Sequence, residues 1–363
     1  MLNAPSHGAA FGSRAIKNWV MELQHLLSVD QLDRTLVEQI MSLAASYEPI
    51  ARREKVCRVL EGAILGNLFF EASTRTRVSF GAAFNRLGGA VCDTTGFTFS
   101  SMAKGESIYD TSRVVSGYVD VLVIRHPEKG AVRQFAEATN IPVINGGDGP
   151  GEHPTQALLD VYTVSRELKR TGREIDGSHI MMVGDLKYGR TVHSLIKLLS
   201  MYKRMHFTLV SPTGLRMPGV FIEHARAAGH TVTEAERPEG TSVPIHVLYT
   251  TRIQKERFQE TEMEGGYTPA FVVNKALVEK ICTKYTVIMH PLPRDSAPGS
   301  NDLSTDLNHD VRLAIFRQTD AGIPVRMAVF AKTLGVENLV LANLRTAKWS
   351  RPAQIGPDDA AKL

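Results

Sequence analysis

Short β-branched runs that end in polar or basic residues and then hand over to helical patterns recur along this chain. That alternation limits the fold more than any other feature. Residues 119–124 close with Arg125, His126 and Pro127, and residues 141–144 lead into NGGDGPGEHPTQ and a helix from about Thr155. Residues 179–183 end in GDLKYGRT, with Thr191 opening a helix, and 207–210 are followed by SPTGLRMP and a helix to about Ala228. Residues 245–249 end in TTRIQKER and 286–289 in HPLPR. Strands alternating with helices imply parallel sheets joined by crossover helices. In such open sheets ligands bind beyond the carboxyl ends of the strands, where these polar residues cluster.

The chain has 363 residues, long for one core, so the expectation is two α/β domains, each a parallel-sheet sandwich. The boundaries read as an arm over 1–28, a first domain over 29–160 and a second over 161–323. A helix over about 155–168 bridges the halves, and the GREIDG turn opens the second. Helical spacing runs from 29 to 51, with Pro49 helping to end it. An apolar helical segment covers 325–334, and the polar stretch 345–363 reads as a disordered tail. A net charge of +4 is too small for a nucleic-acid binder, and no basic stripe appears. Cys57, Cys92 and Cys282 lie far apart with no CxxC pair, which argues against a disulfide framework or cysteine zinc site and suits a reducing compartment. No apolar run approaches the ~20 residues that span a bilayer. Arg14 and Lys17 precede the first acidic residue, Glu22, but a thin basic arm does not displace the cytoplasmic expectation.

The stretch FFEASTRTRVSF, residues 69–80, concentrates the chemistry. An apolar run ends in Ser73, Thr74, Arg75, Thr76 and Arg77, and helical spacing follows. A helix N-terminus presents free N–H groups and a positive dipole end, hydroxyls add donors, and an arginine forks onto two oxygens, so this turn suits a phosphate. The same residues would also serve as an ordinary N-cap with arginines on a solvated face. Residues 94–107, TTGFTFSSMAKGES, read as a surface loop with Lys104 near its end.

Other constellations have simpler readings beside them. GDLKYGRT approaches a nucleotide-binding loop, but Arg190 stands where that loop needs lysine. His126, His153 and His290 each precede a proline, yet none has a partner at metal-ligand spacing. His126 and His290 read as satisfied, half-buried side chains. His153 opens a helix with Gln156 one turn on, an imidazole and an amide suited to a carbonyl or amide substrate. Arg190, Arg252 and Gln254 follow strands of the second half, where two arginines could clamp a dicarboxylate.

FFEASTRTR, RHP, HPTQALLD, GDLKYGRT, TRIQKER and HPLPR, in this order, resemble the catalytic chains of the aspartate carbamoyltransferase family, over roughly residues 29–339. Ornithine-specific relatives carry HCLP where this chain has HPLP, and lack TRxQKER. The resemblance implies transfer of a carbamoyl group from carbamoyl phosphate to L-aspartate, the committed step of pyrimidine biosynthesis, with no cofactor and no metal. It also implies a homotrimer with sites at the domain and subunit interfaces, a possible regulatory chain, and a last helix (about 324–344) packed back on the first domain. By the same resemblance Ser73, Thr74, Arg75 and Thr76 would hold the phosphate. Thr76, Arg125 and His153 would contact the carbonyl oxygen, with Gln156 and the segment Pro291, Leu292 and Pro293 near the amine. Ser100 and Lys104 would come from a neighbouring subunit. Arg190, Arg252 and Gln254, with Lys104 and Leu292, would bind aspartate, and Glu71 and Glu256 would align Arg125 and Arg252. The arm, the tail and the stretch between Pro293 and Arg326 depart from the family's compact pattern.

Overall fold

The computed structural model describes residues 23–96, 101–240, 243–252, 271–295 and 302–349. Helix α1 (Arg34–Ala51) opens at Asp33, whose carboxylate accepts from the Leu36 N–H at 2.7 Å. It runs two residues past Pro49 instead of stopping there. Its buried residues, Val37, Ile40, Ala44, Tyr47 and Ile50, fall three and four apart, the spacing of one helical face.

Strand β1 (Lys55–Val56) precedes β2 (Ile64–Phe69), helix α2 (Thr74–Arg86) and β3 (Ala90–Thr95). Helix α3 (Ile108–Ser116), β4 (Val121–His126), α4 (Ala131–Glu137), β5 (Val143–Asp148) and α5 (Pro154–Arg170) complete the first half. Its four strands are parallel in the order β3-β2-β4-β5. Both β4 and β5 reach further than their sequences indicate, taking in Arg125, His126 and the polar Asn145–Asp148 segment. A register irregularity between Ile124 and His126 lets these polar ends stay in the ladder. The end of the N-terminal arm is not idle: the Leu26 N–H donates to Val143 O, and Asn145 N–H donates back to Leu26 O.

The second half comprises β6 (His179–Gly184), α6 (Arg190–Leu199), β7 (His206–Val210), α7 (Gly219–Ala227), β8 (Thr231–Ala235), β9 (Ile245–Thr251), α8 (Lys275–Ile281) and β10 (Cys282–Met289). Its five strands are also parallel, ordered β10-β9-β6-β7-β8. Helix α9 (Ile315–Thr333) then packs on α1, α2 and α5 of the first half. It begins ten residues before the apolar segment legible in sequence, because Gly322 and Pro324 mask its first turns. Strand β11 (Arg345–Thr346) pairs antiparallel with β1, so the expected tail starts as ordered chain; residues beyond 349 lie outside those described. No helix among the described residues is long and apolar enough to cross a membrane.

Each sheet has one switch point, where chain order reverses: between β2 and β4 in the first and between β6 and β9 in the second. The cleft lies at these four strand ends. Phe330 on α9 locks the scaffold behind it, its ring 5.9 Å from Phe80 and 5.0 Å from Phe84, both edge-on. Phe330→Ala is expected to cost about 3–5 kcal/mol of stability. Denaturant unfolding should show a lower midpoint with an unchanged slope; an unaltered midpoint would contradict this packing role.

Candidate active site

A cleft of about 460 Å³ is lined from both halves. From the first half come the turn Glu71–Thr76, then Arg125 at the end of β4, and His153 and Gln156 at the start of α5. The second half contributes Arg190 after β6, Arg252 after β9, and Pro291, Leu292 and Pro293 after β10. Within it, then, stand Ser73, Thr74, Arg75, Thr76, Arg125, His153, Gln156, Arg190, Arg252 and the Pro291–Pro293 segment. Lys104, exposed on a short 3-10 turn, does not line it. Ser100, Gln254 and Glu256 lie outside the described residues.

Ser73 occupies the N-cap position of α2, yet its hydroxyl makes no capping hydrogen bond. The ordinary N-cap reading of Ser73 therefore fails, and the residue lines the cleft with the helix terminus. The same is true of His153, the N-cap of α5, followed by Pro154 in the first turn. With α6 starting at Arg190, three helix N-termini meet here, each a positive dipole end.

Arg125 is 7% exposed. Its Nη2 lies 2.6 Å from Glu71 Oε2, and its Nη1 donates to Gly146 O at 3.2 Å. Gly147 (φ 132°) makes room: a Cβ there would sit 2.6 Å from that Nη1. Glu71 Oε2 also stands 3.9 Å from Arg190 Nη2, so one carboxylate holds an arginine of each half. Arg190 further donates to Gly149 O.

His153 is 4% exposed, and neither ring nitrogen has a hydrogen-bond partner. Burial first, and then the charges of Arg125, Arg190 and Arg326, hold its pKa well below 6.5. A neutral imidazole with a free N–H in a cationic cleft can donate to an oxygen that gains negative charge. His290, by contrast, is satisfied, its Nε2 3.0 Å from Asp302 Oδ2 and its Nδ1 accepting from Leu292 N–H. His126 accepts from Glu128 N–H and packs on Phe70. Both histidines are buried instead of half-buried, and His126 Nε2 has no hydrogen-bond partner, so the satisfied reading holds for His290 and for only one nitrogen of His126.

Sequence reasoning missed two buried charges. Arg326 on α9 is 3% exposed, lines the cleft and lies with its guanidinium 4.8 Å over Phe80; burial draws its pKa down to about 10. Asp160 on α5 is fully buried, and burial pushes its carboxyl up to about 7 against the donors around it. The signal was present: each is a lone charge in an apolar helical run, LLDVY and VRMAVF.

The depressed His153 pKa sets a test. Side-chain nitrogen shifts of His153 should stay those of a neutral imidazole from pH 8 to pH 6, where an unperturbed histidine is mostly charged. A midpoint at or above 6.5 would contradict the cationic, buried setting.

Comparison with known proteins accords with this geometry. Residues 24–166 match the family model for the aspartate/ornithine carbamoyltransferase carbamoyl-P binding domain, and 176–333 that for the Asp/Orn binding domain. The aspartate carbamoyltransferase catalytic subunit of Saccharophagus degradans is 54% identical over 325 residues, covering 90% of this chain and 96% of that protein. The M. jannaschii catalytic subunit structure shares 42% identity at a TM-score of 0.77, covering 86% of this chain and 98% of that one. The Trypanosoma cruzi aspartate transcarbamoylase, solved with carbamoyl phosphate and aspartate, shares 36% identity at a TM-score of 0.78, covering 85% and 96%. The chain belongs to the aspartate/ornithine carbamoyltransferase family.

Proposed function

We propose that the cleft transfers the carbamoyl group of carbamoyl phosphate to the α-amine of L-aspartate, giving N-carbamoyl-L-aspartate and phosphate. One observation carries the reading: a hydroxyl-rich helix terminus with Arg75, a neutral buried His153 beside Arg125, and two arginines of the other sheet share one cleft. The first group suits a phosphate, the second a carbonyl oxygen, and the third a dicarboxylate. An ornithine side chain, ending in a cation, would be repelled by Arg190 and Arg252.

In this reading Ser73, Thr74, Arg75 and Thr76 bind the phosphate. Thr76, Arg125 and His153 hold the carbonyl oxygen, while Gln156 and the backbone of Pro291–Leu292–Pro293 meet the amino group. Arg190 and Arg252, with Gln254, bind the aspartate carboxylates. The neutral α-amine attacks the carbonyl carbon, and the C=O electrons move to the oxygen, where Arg125, Thr76 and His153 donate to it. The carbon–oxygen bond to phosphate then breaks, the charge passing to Arg75 and Lys104, and the phosphate takes the amine proton. A donor positioned on such a developing charge is worth about 2.7–4 kcal/mol, or ~10²–10³ in rate. The reaction needs no cofactor.

The site is completed by Ser100 and Lys104 of a second copy, in a homotrimer. Support comes from Val78 on α2 and from Tyr109, Val114 and Tyr118 after the Lys104 turn, which are 48–71% exposed although large and apolar. The three cysteines, all free, suit a cytoplasmic setting.

A carbamoyl-transfer assay over a panel of amino acids tests the reading, with turnover expected for aspartate and not for ornithine. Arg75→Ala should lower kcat by ~10²-fold or more, and near-normal turnover would sink the assignment. Arg252→Ala should raise the KM for aspartate chiefly; an effect confined to carbamoyl phosphate would contradict the dicarboxylate clamp. Mixing inactive Lys104→Ala with inactive Arg75→Ala chains should restore part of the activity. With subunit exchange verified, a mixture that stays dead would exclude shared sites.

A further inference from the structure

Asp160 lies one helical turn after Gln156 on α5, and three donors converge on it. Its Oδ1 accepts from Gln156 Nε2 at 3.0 Å and from Gln318 Nε2 at 2.6 Å; its Oδ2 accepts from the Tyr249 hydroxyl at 2.8 Å. These donors come from three different elements, α5, α9 and β9. The Thr191 hydroxyl in turn bonds Tyr249, next to Arg190.

The orientation of this network is fixed from outside it. The His290 N–H donates to Gln318 Oε1 at 3.0 Å. A backbone N–H can only donate, so Gln318 must turn its NH₂ toward Asp160. Oδ1 is therefore an acceptor whatever proton Oδ2 carries. Gln156 can reach that oxygen only through its own NH₂, which leaves its carbonyl oxygen as the end available to the cleft it lines.

We propose that Asp160 is a positioning residue that locks the amide of Gln156, so that the cleft presents a hydrogen-bond acceptor there and selects a ligand carrying N–H at that point. The inference rests on reading the cleft as a carbamoyl-phosphate site: the selected group is the carbamoyl NH₂, and the rejected one is the methyl of an otherwise similar acyl phosphate. An unlocked amide could offer either its oxygen or its NH₂ and would discriminate less. Specificity for the carbamoyl group is thus set behind the residue that touches it, by a carboxylate that also holds Gln318, which accepts from the His290 N–H of the HPLP segment, and Tyr249 on the strand that precedes Arg252.

The test is calorimetric titration of the full chain with carbamoyl phosphate, acetyl phosphate and inorganic phosphate, without aspartate. The wild type should prefer carbamoyl phosphate to acetyl phosphate. Asp160→Ala should lose about tenfold of that preference, the worth of one well-made hydrogen bond, while inorganic phosphate binds within about twofold of wild type. Asp160→Asn should keep the preference, because Gln318 still pins an oxygen at the Oδ1 position. Tyr249→Phe, which touches only Oδ2, should keep it as well. Preference intact in Asp160→Ala, or all three ligands weakened alike, would overturn the proposal. So would a loss of preference in Asp160→Asn, a variant that decides the matter even if Asp160→Ala does not fold. A wild type that binds neither acyl phosphate would instead overturn the reading of the cleft itself.

Discussion

Buried positive charge is the constraint on which the rest of the structure depends. Arg125, Arg190 and Arg326 are each at most 9% exposed and stand around a neutral histidine. Taking one guanidinium out of water costs several kcal/mol unless it is paired. Glu71 answers for two of them across the boundary between the halves, and the carbonyls of Gly146 and Gly149 take further N–H groups. An anionic ligand would complete the compensation. A cleft built this way is stable as protein yet lined mainly by cationic side chains, which suits it to an anion.

The architecture shows why the charges meet. Each parallel sheet reverses its strand order once, and a crevice opens at each reversal. The turn Ser73–Thr76 follows β2 and Arg125 stands near the end of β4, the strands that flank the first reversal, while Arg190 and Arg252 follow those that flank the second. Helix α9, returning to α1, α2 and α5, sets Arg326 and Gln318 into the wall between them. The same helix carries the aromatic contact that holds the scaffold together, so binding and stability draw on one element.

Much of this was legible in sequence. The turn from Ser73 to Arg77 could be read because an apolar strand stops abruptly there and helical spacing resumes, and both signals are local. Arg125 and His153 were found for the same reason, although their strands extend further than polar composition allows. What stayed hidden depends on contacts between distant segments. Strand β8 buries little besides Val232 and gave no alternation strong enough to read. The first turns of α9 were hidden by Gly322 and Pro324. Asp160 escaped notice because its meaning lies in Tyr249 and Gln318, 89 and 158 residues away, and Arg326 because its guanidinium lies over the distant Phe80.

In the proposed reading, a phosphate half from one sheet and a dicarboxylate half from the other form a single site. Titration with N-(phosphonacetyl)-L-aspartate, which joins a phosphonate to aspartate, tests it most directly when repeated in the presence of inorganic phosphate and of succinate. One ligand bound per chain is expected, with an affinity lowered by each competitor separately. Binding that responds to only one of the two, or to neither, would contradict it.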